Sequence, residues 1–102
     1  MSEFRSVAAA AELSPGEMKL VTLDGAEIVV ANVAGSYFAF SNTCPHEGGP
    51  LCEGFLRGAT VTCPWHDAEF DVKTGKALGW ITDQPVRTFE VRQDGDAIQI
   101  RT

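Results

Sequence analysis

Cys44-Pro45-His46-Glu47-Gly48-Gly49-Pro50-Leu51 and, further on, Thr62-Cys63-Pro64-Trp65-His66 are the two stretches around which the chain is organised. Sixteen residues separate His46 from Cys63. Each stretch supplies one thiol and one imidazole. The sequence holds three cysteines and two histidines, and these stretches use both histidines and two of the cysteines. That concentration of soft and borderline ligands reads as a metal site held by Cys44, His46, Cys63 and His66. Two Cys and two His suit either zinc or an iron–sulfur cluster. A zinc finger groups its cysteines in one pair and its histidines in another. Here each loop carries one of each. That distribution suits a binuclear centre in which one metal takes both thiolates and the other both imidazoles.

Outward from these stretches, β signals dominate. Ser36 to Phe40 reads as the strand that delivers the chain to Cys44. Before it, Met18 to Leu23 partly alternates apolar and polar residues, as a half-buried strand does, and Ala26 to Val33 continues as a second strand. Asp24-Gly25 between them is a two-residue hairpin turn, and Ala34-Gly35 is another. Phe4 to Ala8 reads as a short strand. Ala8 to Ala11 favours a helical turn that Ser14-Pro15-Gly16 stops.

Asn42 to Leu56 holds three glycines and two prolines and reads as loop. Ala59 to Thr62 is a strand entering Cys63, and Glu69 to Val72 a strand leaving His66. Lys73 to Lys76 turns back, and Gly79 to Pro85 forms a third loop. Val86 to Arg92 and Ala97 to Arg101 close the chain as a hairpin around Asp94-Gly95. The expectation is a single all-β domain over residues 1–102. It is an antiparallel sandwich or barrel with a small metal-binding subdomain inserted over about residues 42–85.

A chain of 102 residues with 44% hydrophobic residues builds one modest core. Its net charge of −6 argues against binding nucleic acid or an anionic membrane. No apolar run is long enough to span a bilayer, and no signal-peptide pattern opens the sequence. The expected location is the cytoplasm. With Cys44 and Cys63 committed to metal, Cys52 has no partner for a disulfide and reads as a small hydrophobe or a free thiol.

The paired motif, with Gly54, Phe70-Asp71 and Thr74-Gly75 around it, resembles the Rieske 2Fe–2S family over nearly the whole chain. The resemblance implies a Rieske fold and one 2Fe–2S cluster held by Cys44, His46, Cys63 and His66, with histidine replacing cysteine on one iron. Two ferric ions, two sulfides, two thiolates and two neutral imidazoles sum to zero, so reduction takes the cluster only to −1. Backbone N–H groups of Glu47 to Gly49 and of Asp67 to Ala68 are the expected donors to sulfur.

High-potential members of respiratory bc complexes carry a disulfide between the loops, where this chain has Gly49 and Trp65. They also carry a Ser and a Tyr that donate to the site, where this chain has Ala68 and Phe70. The comparison implies a potential at the low end of the Rieske range, about −150 mV. Both histidines are committed and the chain is too short for a catalytic domain, so oxygen chemistry belongs on another protein.

The closest likeness is to the ferredoxin component of bacterial aromatic-ring dioxygenase systems. It implies a soluble, monomeric one-electron carrier between a flavin-containing, NADH-dependent reductase and a terminal oxygenase. The small Rieske-like subunit of NADH-dependent nitrite reductase is the alternative, and a structural zinc module for protein interaction is a second. In this picture His46 and His66 form the electron port, ringed by Pro45, Pro64 and Trp65. Leu51 and Phe55 shield the cluster. Trp80 reads as core, in a loop with Pro85 that covers the site. Glu47, Glu53, Asp67 and Glu69 are candidates for steering a basic partner.

Overall fold

The computed structural model describes residues 3–46, 48–65 and 67–102. In chain order the strands are β1 (Arg5–Ala9), β2 (Met18–Leu23), β3 (Ala26–Val33), β4 (Ser36–Ser41), β5 (Phe55–Arg57), β6 (Thr60–Thr62), β7 (Glu69–Asp71), β8 (Ala77–Leu78), β9 (Thr88–Asp94) and β10 (Ala97–Arg101). Two single 3₁₀ turns, Ala10–Glu12 and Leu51–Glu53, complete the regular structure among the described residues. The first sheet runs β1-β10-β9-β4-β3-β2, all antiparallel. Its edge strands β1 and β2 approach one another, so the sheet nearly closes into a barrel. Arg5 on β1 pairs with Asp24 beyond the end of β2 across that seam.

Short turns set this register. Leu23 pairs with Ala26 and Val33 with Ser36, which leaves Asp24-Gly25 and Ala34-Gly35 as two-residue loops. All four loop residues have positive φ, between 52° and 94°, as the twist of a tight hairpin demands. The last hairpin turns one residue later than the sequence suggests. Asp94 still pairs with Ala97, and Gly95-Asp96 forms the loop.

The run Ile28 to Ala31 is apolar without alternation because β3 is buried on both faces. Ile28 and Val30 face the barrel interior with Leu13, Val21, Ala39, Ile98 and Ile100. Val29 and Ala31 face the other way, into a second core with Phe40, Leu51, Val61, Phe70, Val72 and Val86. That second core sits under a four-stranded sheet, β5-β6-β7-β8, built from the chain between β4 and β9.

Several expectations change in detail. Residues 55–57, read as the end of a loop and its sequel, form β5, and Ala77–Leu78 forms β8. Strands of three and two residues are too short to show a period. The helical tendency at Ala8–Ala11 yields only the 3₁₀ turn, while β1 extends to Ala9. Phe55 is 68% exposed and shields nothing. On β5 it is Leu56 that turns inward, and strand alternation sends Phe55 outward. Trp80 is 91% exposed rather than core: on the loop after β8 it is the neighbouring Ile81 that packs against the second core.

Candidate metal centre

Two loops converge on the second core. The first leaves β4 through Asn42, a buried residue bonded through both its side-chain amide and its backbone. Its Nδ2 donates to Glu27 Oε1 at 3.2 Å, and its Oδ1 accepts from the Cys52 N–H at 2.8 Å. Its backbone N–H donates to Glu27 O at 3.0 Å, and its carbonyl accepts from the Leu51 N–H at 2.8 Å. One asparagine therefore ties both ends of the loop to β3. Between those ends, the Cys44 N–H donates to Gly49 O at 2.9 Å and the Gly48 N–H to Cys44 O at 2.8 Å. Sequence reading missed Asn42. A strand-terminal Asn before a cysteine is a turn former like many others, and only the fold shows both ends of the loop within its reach.

The second loop follows β6. The Cys63 N–H donates to Ala68 O at 2.7 Å, which ties the two ends of this loop together. Asp67 stands in the left-handed region with φ 60°, a conformation aspartate tolerates. β6 is aimed by its close contact with Gly54. A Cβ on Gly54 would lie 1.9 Å from Thr62 O and 3.2 Å from Pro64 Cδ, so only glycine lets the two segments meet here.

The loops bring Cys44 and Cys63 together. The side chains are 1% and 0% exposed, both thiols are free, and they lie within hydrogen-bonding reach of each other. Burial pushes the Cys63 thiol up to about 11. The Trp65 N–H, 3.4 Å from Cys63 Sγ, works against that rise, and the neighbouring Cys44 thiol adds to it. His46 is half-buried on the first loop, with its Nδ1 shielded from solvent. His66 and Glu47 lie outside the described residues. Among the described residues no three His, Cys, Asp or Glu side chains converge on a single ion. A binuclear cluster does not require that, since its thiolates and imidazoles belong to different metals.

The donor seen on Cys63 sulfur is the Trp65 N–H, which lies outside the two expected stretches, and the Gly48 N–H is turned to the Cys44 carbonyl instead. Leu51 is fully buried beside the thiols, as a shield should be. Pro45 and Pro64 are half-buried and Trp65 is half-exposed, so they form an apolar rim on the two loops. Asp67, Glu69 and Glu53 are exposed. Ala68 and Phe70 are buried and offer no hydroxyl. Cys52 is half-buried and free, and burial raises its thiol above the ordinary range.

Two buried free thiols from separate loops, with His46 beside Cys44 on the first, are the kind of donor set that suits a metal centre on a small β-barrel protein. The chain belongs to the Rieske [2Fe-2S] domain family, whose model matches residues 3–90. It is 38% identical over 94 residues to the ferredoxin component of biphenyl 2,3-dioxygenase from Rhodococcus jostii, covering 92% of this chain and 88% of that one. The ferredoxin of carbazole 1,9a-dioxygenase from Nocardioides aromaticivorans superposes with a TM-score of 0.91 at 32% identity, over 95% of both chains. A carbazole 1,9a-dioxygenase ferredoxin in complex with its oxygenase matches at TM-score 0.91 and 30% identity, over 96% of this chain and 92% of that one. The cofactor is therefore one Rieske-type 2Fe–2S cluster, and the chain is an electron carrier rather than a catalyst.

Proposed function

We propose that this chain holds its cluster through Cys44, Cys63, His46 and His66. We further propose that it carries single electrons from an NADH-dependent flavin reductase to the terminal oxygenase of an aromatic-ring dioxygenase system. The observation that supports this best is the pair of buried, free thiols that two separate loops bring together. The relatives named as ferredoxin components support the choice of system.

The fold divides the labour among its residues. Cys44 and Cys63 would bind as thiolates, and His46 and His66 as neutral imidazoles. When bound, the cluster supplies a site that takes up and releases one electron with a change of one unit of charge. Leu51, Val61 and Phe70 exclude water beneath the thiols. The loop hydrogen bonds at Asn42, Cys44 and Cys63 hold the ligands in place, so the protein frame moves little as charge changes. Pro45, Pro64 and Trp65 offer a small apolar surface for brief docking. Among the described residues no helix is long and apolar enough to cross a membrane. A monomer working in the cytoplasm, one domain with its cluster-binding unit at about residues 42–85, completes the proposal.

The test is anaerobic mixing of the holoprotein with NADH and the flavin reductase of a biphenyl dioxygenase system, followed by the oxygenase of that system. The visible absorption should bleach by one electron per chain and recover when the oxygenase is added. A cluster that neither reductase nor oxygenase addresses would contradict the assignment.

A further inference from the structure

The described part of the second loop forms one wall of a groove of about 600 Å³. Asp67, Glu69, Thr62, Leu78, Trp80 and Ile81 line it. Trp80 stands 91% exposed at its edge, an unusual cost for the largest apolar side chain in a protein. Leu78 and Ile81 are only half-buried. Its lining carries two carboxylates and, among the described residues, no cation. Glu69 Oε1 comes within 3.9 Å of where a Cβ on Gly79 would sit, which places its charge inside the groove beside the tryptophan segment. Asp67 and Thr62, both in the lining, adjoin the proposed ligands His66 and Cys63 in sequence.

An aromatic face next to carboxylates is complementary to a cation on an apolar stem. The ring attracts the charge through its quadrupole, the carboxylates pair with it, and Leu78 and Ile81 cover the stem. Exposed tryptophan is also the side chain that most often anchors an interface. We infer that this groove is the docking site for a lysine or arginine side chain on the surface of the protein that receives the electron, with Trp80 as the anchor. The inference rests on the carrier function proposed above and adds to it the residue that fixes the partner and the chemistry it fits. Seating a partner here brings its surface against the second loop, which carries Cys63 and His66 of the proposed ligand set.

Mitochondrial cytochrome c, a basic one-electron acceptor, serves as the probe. Reduced holoprotein is mixed with ferric cytochrome c in a stopped-flow instrument across a range of acceptor concentrations, to separate the dissociation constant from the limiting rate. Trp80→Ala should raise the dissociation constant by about tenfold while leaving the limiting rate and the reduction potential unchanged. Trp80→Phe should restore most of the affinity. Glu69→Gln should weaken binding by about threefold at low salt and flatten its salt dependence. Trp80 makes no buried contact, so loss of folding does not confuse the result. A Trp80→Ala variant that binds as tightly as the wild type overturns the groove while leaving the carrier function intact. A wild-type holoprotein that delivers no electron to any acceptor overturns both.

Discussion

Gly54→Ala is the sharpest probe of how the fold aims the second loop. The new Cβ would sit 1.9 Å from the Thr62 carbonyl oxygen and 3.1 Å from its carbon. Ordinary carbon–oxygen contact begins at about 3.3 Å, so the segments must part by about 1.4 Å. Neither atom it meets on Thr62 is a flexible side-chain tip. Both belong to the backbone of β6, one residue before Cys63. Parting them strains the pairing of Phe55 with Thr62.

Overpacking of about 1–3 kcal/mol and a weakened hydrogen bond of about 1 kcal/mol give a loss of about 3 kcal/mol. For a domain of this size that lowers Tm by about 12–24 °C. Thermal denaturation followed by circular dichroism reads the stability, and iron analysis reads cluster retention. Gly58→Ala in the adjoining turn is the control. It has φ +59° but nothing within 4 Å of its Cβ, so it should cost about 1 kcal/mol and keep its iron. If Gly54→Ala melts with Gly58→Ala and retains full iron, the close approach does not position Cys63 and the reasoning fails.

Three further outcomes follow from the same structure. Ala34 holds φ 53° in its hairpin, so Ala34→Gly should gain about 0.5–1 kcal/mol and raise Tm, and a fall in Tm would contradict the strain. In the metal-free protein burial holds the Cys63 thiol protonated up to about 11, and ligation requires the thiolate. Zinc uptake by the apoprotein, titrated in weak buffer, should therefore release protons and tighten as pH rises from neutrality toward that value, whereas a pH-independent affinity would show that Cys63 is not a ligand. With alanine at 68 and phenylalanine at 70 no hydroxyl reaches the site from these positions, and film voltammetry should give a potential of about −150 mV, which a positive value would refute.

Sequence patterns made the barrel legible because its hairpins carry their own turn chemistry. Asp24-Gly25 and Ala34-Gly35 fix two registers, and the unbroken run Ile28–Ala31 marks a strand covered on both sides. The thiols of the candidate site were legible from spacing alone, and the fold brings Cys44 and Cys63 together from two separate loops. Other features had no local signal. The three residues of β5 and the two of β8 gain their pairing from neighbours rather than from their own pattern. Phe55 and Trp80 are large and apolar, and composition alone assigns such residues to the interior. Their exposure depends on strand alternation and on a loop path that only the fold determines. Asn42 gains its role from Glu27, fifteen positions away in sequence.

The central claim is that Cys44, Cys63, His46 and His66 hold a Rieske-type cluster. Low-temperature EPR of the dithionite-reduced protein, with iron and sulfide analysis on the same sample, tests it most directly. The account predicts two irons and two sulfides per chain and a rhombic signal whose average g lies clearly below the free-electron value. A colourless protein with stoichiometric zinc and no signal would contradict it and leave a metal-stabilised binding module in its place.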